Sequence, residues 1–203
     1  MVLTIVKYGH PVLRQRGTKI TTVTPEIRAL VADMFQTMRA ASGVGLAAQQ
    51  VGKALMLLVA DVRDSERPST LEIGGKPVNV HDHMPMLLMN QVVTEPAGNV
   101  LGNEGCLSFP GISADIRRAE AITVTAMGLD GKTITFRCSG LLARVIQHEG
   151  DHLNGVLFLD RMDSATKVSL SGQLKRMARE TQEALKAARK PSKSGSLAAA
   201  RAR

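Results

Sequence analysis

Aromatic side chains are scarce in this chain of 203 residues, which has no Trp, one Tyr and four Phe. Its core must then be built from Leu, Val, Ile, Ala and Met, which fill space adequately without large rings. The same scarcity argues against nucleic-acid recognition by stacked aromatics. Cysteine is also sparse: Cys106 and Cys138 allow one disulfide at most, and in a reducing compartment free thiol or metal thiolate is the expected state. No apolar run reaches membrane-spanning length, and the opening MVLTIVKYGHPVLRQRG has no basic segment followed by a long apolar one. A cytoplasmic protein with no membrane partner is expected.

Acidic residues are nearly missing from one end. Residues 164–203 hold ten Lys and Arg against Glu180 and Glu183, so the net charge of +8 resides there and the first 163 residues balance. The expected organisation is a catalytic-sized unit over 1–163, a basic helix over 164–190 and a low-complexity basic tail over 191–203. A basic end of this kind either forms a solvated helix or docks on anionic RNA without reading its sequence.

Thr24 and Pro25 suit the N-cap and first position of a helix whose apolar residues Ile27, Leu30, Val31, Met34, Phe35 and Met38 recur at helical spacing. The glycines of GVGLAAQQ, Gly43 and Gly45, are expected to break that helix and to leave backbone open to close approach. ALMLLVA (54–60) reads as a buried strand, residues 63–86 as a long connection, and MLLMNQVVT (86–94) as another strand. Alternation on both sides of Asp130-Gly131 predicts a hairpin, and GLLARVIQHEGDHL (140–153) predicts an apolar helix stopped by Asn154-Gly155. Strands in the middle without regular βαβ alternation predict an α+β fold: mixed or antiparallel sheets around a central helix, with an N-terminal helix and a C-terminal helical extension.

That central helix carries HEGDH. His148 and His152 stand one turn apart on the same face, so two imidazoles can grip one ion while Glu149 lies close enough to handle a proton on water. An ordinary helix with two structural histidines is the plainer reading. A catalytic metal needs a third ligand, and Cys106 in NEGCLSFPG is a candidate thiolate. His81 and His83 alternate in a polar loop and read as surface residues. Cys138 continues a strand and reads as core.

Together, GVGLAAQQ (43–50), EGCLS (104–108) and HEGDH (148–152) make the chain resemble the peptide deformylase family, which has these segments in this order. The likeness runs from YGHPVLR to about residue 160. It implies Cys106, His148 and His152 as ligands of a divalent ion, Fe2+ natively, with Zn2+, Ni2+ or Co2+ able to substitute. It implies Glu149 as general base and then acid, with the Gln50 amide and the Leu107 N–H holding an oxyanion. The implied substrate is a nascent peptide beginning with N-formyl-methionine. It would lie extended along Gly43, Val44 and Gly45, its Met side chain facing Leu141 and Val145, with Val44 opposite. Glu104 is expected to orient Cys106 or to pair with Arg117 or Arg118.

Two positions depart from the family pattern. Gly150 fills the variable place in HExDH, normally held by a larger side chain, and Gln91 stands where Pro is common. They raise one alternative, a divergent hydrolase of other short N-acyl peptides; the basic end raises another, a non-catalytic ribosome- or RNA-binding protein with a structural metal. For the basic end, the resemblance adds contact with the ribosome as an expected partner.

Overall fold

The computed structural model describes residues 1–189. The expected tail at 191–203 lies outside them. Helix α1 (Pro25–Ala40) is capped as its sequence suggests, the Thr24 hydroxyl accepting from the Ile27 N–H at 3.4 Å. Strands β1 (Gly45–Ala47) and β2 (Leu57–Ala60) follow, then a hairpin of β3 (Ser69–Ile73) and β4 (Lys76–Val78), then the long β5 (Met86–Ala97). A second hairpin joins β6 (Val100–Gly105) to β7 (Ser113–Arg118), and a third joins β8 (Ala121–Met127) to β9 (Thr133–Ser139). The chain ends in three helices: α2 (Gly140–Leu153), the single turn α3 (Phe158–Arg161) and the long α4 (Ser164–Arg189).

Among the described residues, seven strands form one sheet in the order β1-β2-β5-β8-β9-β3-β4, and β6 with β7 forms a separate ribbon; all these pairings are antiparallel. The fold is α+β, as expected. Near the β1 end the sheet is covered on both faces, which explains the unbroken apolar run of β2. Leu58 and Ala60 pack toward Leu142, Val145 and Ile146 of α2, whereas Leu57 and Val59 pack toward Met34 and Met38 of α1. A third cluster joins Val12, Leu13, Phe109, Ile116 and Phe158 to Leu174 of α4.

Two details differ from the sequence reading. Residues 63–86 contain the β3-β4 hairpin, turned by Gly74 and Gly75 at φ +59° and +73° and tied to the sheet through β9. Helix α1 is not ended by Gly43 or Gly45. The left-handed residue is Ser42 at φ +53°, and the Gly43 N–H bonds to the Met38 carbonyl at 2.9 Å.

Candidate active site

Helix α2 runs between the sheet and the β6-β7 ribbon and is buried along nearly its whole length. Its exit is defined by Asn154 and by Gly155 at φ +72°, as the Asn-Gly pair suggests. His148 and His152 project from one face, with ring centroids 5.2 Å apart. The third group arrives from the segment after β6: Cys106 Sγ lies 3.3 Å from His152 Nε2, and the ligand atoms of Cys106, His148 and His152 all lie within 4.8 Å of one another. Bond lengths of about 2.3 Å to sulfur and about 2.1 Å to nitrogen put two ligands of one ion roughly 3.5 Å apart, so the sulfur–imidazole spacing fits a shared cation.

The donors around the triad are held firmly. His148 Nδ1 bonds to Glu104 Oε2 at 2.9 Å, which leaves its other ring nitrogen for the ion. Glu104 is itself gripped by Nε and Nη2 of Arg118, each at 3.0 Å, and by Arg144 at 2.7 Å. Burial alone would raise the Glu104 pKa, but the bonds with His148 and Arg118 outweigh it and hold the group at about 2. Burial drives His152 well below its usual value, as suits a neutral imidazole ligand. For His148 burial also lowers the pKa, yet bonds to Cys106 and Glu104 carry it well above normal; a cation among these groups would supply the same positive charge.

Glu149 is 5% exposed, and burial pushes its pKa up to about 7, where a carboxyl can both take and return a proton at neutral pH. Its Oε2 is buried without a hydrogen-bond partner. Gln50 is fixed by its own oxygen, which accepts from the Ala47 N–H at 2.7 Å, and this turns its NH2 toward Cys106 Sγ at 3.5 Å. Among the described residues the Leu107 N–H has no hydrogen-bond partner. Lys7 Nζ donates to the Leu107 carbonyl at 3.0 Å and so fixes the Cys106–Leu107 segment.

A cleft of about 730 Å3 opens onto these groups, with Val44, Leu141 and Val145 among its lining. Gly43 and Gly45 permit the close packing. A Cβ at Gly43 would stand 2.8 Å from Leu107 Cδ1, and one at Gly45 would stand 2.6 Å from Glu149 Oε1 and 2.7 Å from Val145 Cγ1. β1 is also the edge of the sheet, so its outer side is available to an extended chain.

Of the sequence candidates, Cys106, His148, Glu149, Gln50, Leu107, Gly43, Val44, Gly45, Leu141 and Val145 line one cleft, and His152 reaches it through Cys106 Sγ, 3.3 Å from its Nε2. Glu104 pairs with Arg118 and not Arg117. Asp151 pairs with Arg118 and with Arg161 at 2.6 Å. His81 and His83 sit exposed in a short 3-10 turn, and Cys138 is buried in β9 with a pKa raised to about 12 by burial. Arg144 was missed. Its signal was a cation inside the apolar run LLARVI, since a buried charge needs partners, here Glu104 and the Val100, Gly102 and Ile116 carbonyls.

Residues 2–168 match the Polypeptide deformylase family. The peptide deformylase of Opitutus terrae is 44% identical over 188 residues, 92% of this chain and 98% of the relative. That of Methylacidiphilum infernorum is 42% identical over 179 residues, covering 88% and 94%. Among solved structures, the peptide deformylase of Thermus thermophilus superposes with a TM-score of 0.74 at 34% identity, covering 89% of this chain and 99% of that one. The Legionella pneumophila enzyme gives 0.72 at 31%, covering 94% and 100%. With this agreement from end to end of its relatives, the chain belongs to the polypeptide deformylase family of metal-dependent hydrolases that act on an amide.

Proposed function

We propose that this chain removes the formyl group from peptides that begin with N-formyl-methionine, releasing formate, and that Cys106, His148 and His152 hold the required ion, Fe2+ in the native protein. The observation that carries the reading is the convergence of one sulfur and two imidazoles beside a buried carboxylate with one unpartnered oxygen. When bound, a divalent cation there acidifies water and polarises a carbonyl. One thiolate and two neutral imidazoles leave such an ion a net charge near +1. Fe2+ beside a thiolate is readily oxidised, so the native ion is identified by metal analysis of protein purified without oxygen.

Glu149 takes the proton from the attacking water and gives it to the departing amine nitrogen; its pKa of about 7 suits both directions. The Gln50 NH2 and the Leu107 N–H face the place where the formyl oxygen gains charge, each worth roughly 100-fold or more in rate. The peptide adds to the free edge of β1 at Gly43–Gly45, with its Met side chain between Val44 and the Leu141–Val145 face. A formyl carbon bears only hydrogen beyond its carbonyl, so a cleft this close to Val145 and Gly45 excludes larger acyl groups. Formyl-Met-Ala-Ser should therefore release formate while acetyl-Met-Ala-Ser is left intact. Equal turnover of both would mean a broader N-acyl hydrolase.

Glu149→Ala should lower turnover at least 100-fold while metal content stays the same. Full activity in that variant would remove the proposed proton carrier. A ribosome-contacting role for α4 completes the proposal: Lys175, Arg176, Arg179 and Lys186 are exposed along it, and phosphate attraction would draw this surface to RNA near emerging chains.

A further inference from the structure

The residue in the middle of the metal-binding turn, between Glu149 and Asp151, is a glycine, the costliest choice for a helix interior short of proline. The space beside it is filled. A Cβ built on Gly150 would stand 2.2 Å from Nε2 of Gln91, so the amide would have to leave its present place to admit one. The Gln91 amide, from β5, lies where the side chain of residue 150 would begin and donates to the Ile146 carbonyl at 3.3 Å, one turn back on α2. Gln91 is 8% exposed.

The strand is built to aim it there. Register in β5 shifts between Met89 and Val92, and Asn90 takes φ +54°. The Asn90 side chain locks this bulge, accepting from the Ile20 N–H at 2.9 Å and donating to the Ile20 carbonyl at 2.7 Å, while its own N–H bonds to the Met56 carbonyl. A bulge redirects a side chain across the sheet, and this one turns Gln91 onto α2. The residues at 91 and 150 are therefore one feature: the strand amide fills the space that a helix side chain at 150 would take.

We infer that Gln91 is a positioning residue for the metal centre: by occupying the place of a side chain at 150 and holding Ile146, it sets the turn of α2 that presents His148, Glu149 and His152. The inference rests on the reading that these histidines hold the ion. Gln91 touches neither substrate nor ligand atoms, so its effect passes through the helix. Loss of the amide bond with the volume kept should loosen the ligand geometry, whereas a Gln that merely filled space would be replaceable by Met.

The test is a chelator-competition measurement of Co2+ affinity on the full-length protein, with the visible absorption spectrum of the bound Co2+ and the steady-state constants recorded alongside. Gln91→Met should weaken Co2+ binding on the order of tenfold, shift the spectrum and lower kcat with KM unchanged. Gly150→Ala should weaken binding further than Gln91→Met, and adding Gln91→Ala to it should bring the affinity back only to the Gln91→Met level, because the clash partner is gone and the amide bond with it. Wild-type affinity and spectrum in Gln91→Met, or losses that multiply in the double variant, would overturn the inference. If Gly150→Ala does not fold, Gln91→Met and the double variant still decide. His152→Ala separates the two claims: Co2+ binding that survives it defeats the metal-site reading itself, whereas its loss leaves that reading intact whatever Gln91 does.

Discussion

Glu104 shows how one carboxylate serves two purposes. It fixes the ring of His148 and neutralises Arg118 and Arg144, three positive or potentially positive groups with little access to water. Its folded pKa of about 2 lies below the usual 4.5, so the unfolded chain takes up this proton first as pH falls. The stability it contributes is complete above about 4.5 and is lost between there and about 2. Thermal melts across that interval should show Tm falling with pH, and Glu104→Gln should flatten the slope while lowering Tm at neutral pH, because Arg144 then loses its carboxylate partner and Arg118 keeps only Asp151. An unchanged slope would assign acid sensitivity to other carboxylates, such as Asp160 beside Arg14. His148, His152 and Cys106 could be picked out from spacing and context because ligand chemistry restricts residue type. Arg144 and Gln91 could not, since their roles depend on which strand ends beside which helix turn.

Among the elements, α1, α2 and the β8-β9 hairpin were legible because a single period or turn signal runs through each. The β3-β4 hairpin and the β6-β7 ribbon were not. β3, β4 and β6 are short and largely exposed, and β7 alternates but has Arg118 among its buried residues, so the apolar signal is weak, and only pairing with distant β9, or of β6 with β7 across the Cys106 segment, defines them. The GVG segment was legible as glycine-dependent, though for a different reason than helix breaking. Its glycines let β1 lie against α2 and the Leu107 side chain. Gly45→Ala would force its methyl onto the Glu149 carboxylate and Val145; kcat should fall more than tenfold, with the fold retained in circular dichroism. A variant with unaltered kcat would show that Glu149 has room to move and that β1 does not confine it.

At the scale of the molecule, α2 ties the sheet to the β6-β7 ribbon through Arg144, and α4 packs against the cluster beside the cleft. Leu174 enters the cluster around Phe109 and Phe158, and Ala178 lies against Gly9 so closely that a Cβ on Gly9 would stand 2.8 Å from its backbone. The opposite face of α4 carries exposed cations, and no described helix is long and apolar enough to cross a membrane. Replacing Lys175, Arg179 and Lys186 with Glu should abolish salt-sensitive co-sedimentation with ribosomes and leave formyl-Met-Ala-Ser turnover intact; undiminished co-sedimentation would make the basic face a solvated one. On the proposed reading, everything catalytic depends on a cation held by Cys106, His148 and His152. The most direct measurement is formate release from formyl-Met-Ala-Ser as chelated, oxygen-free protein is titrated with Fe2+. The account predicts activity that rises linearly and levels off at one ion per chain; undiminished release from the chelated protein, or none at full occupancy, would contradict it.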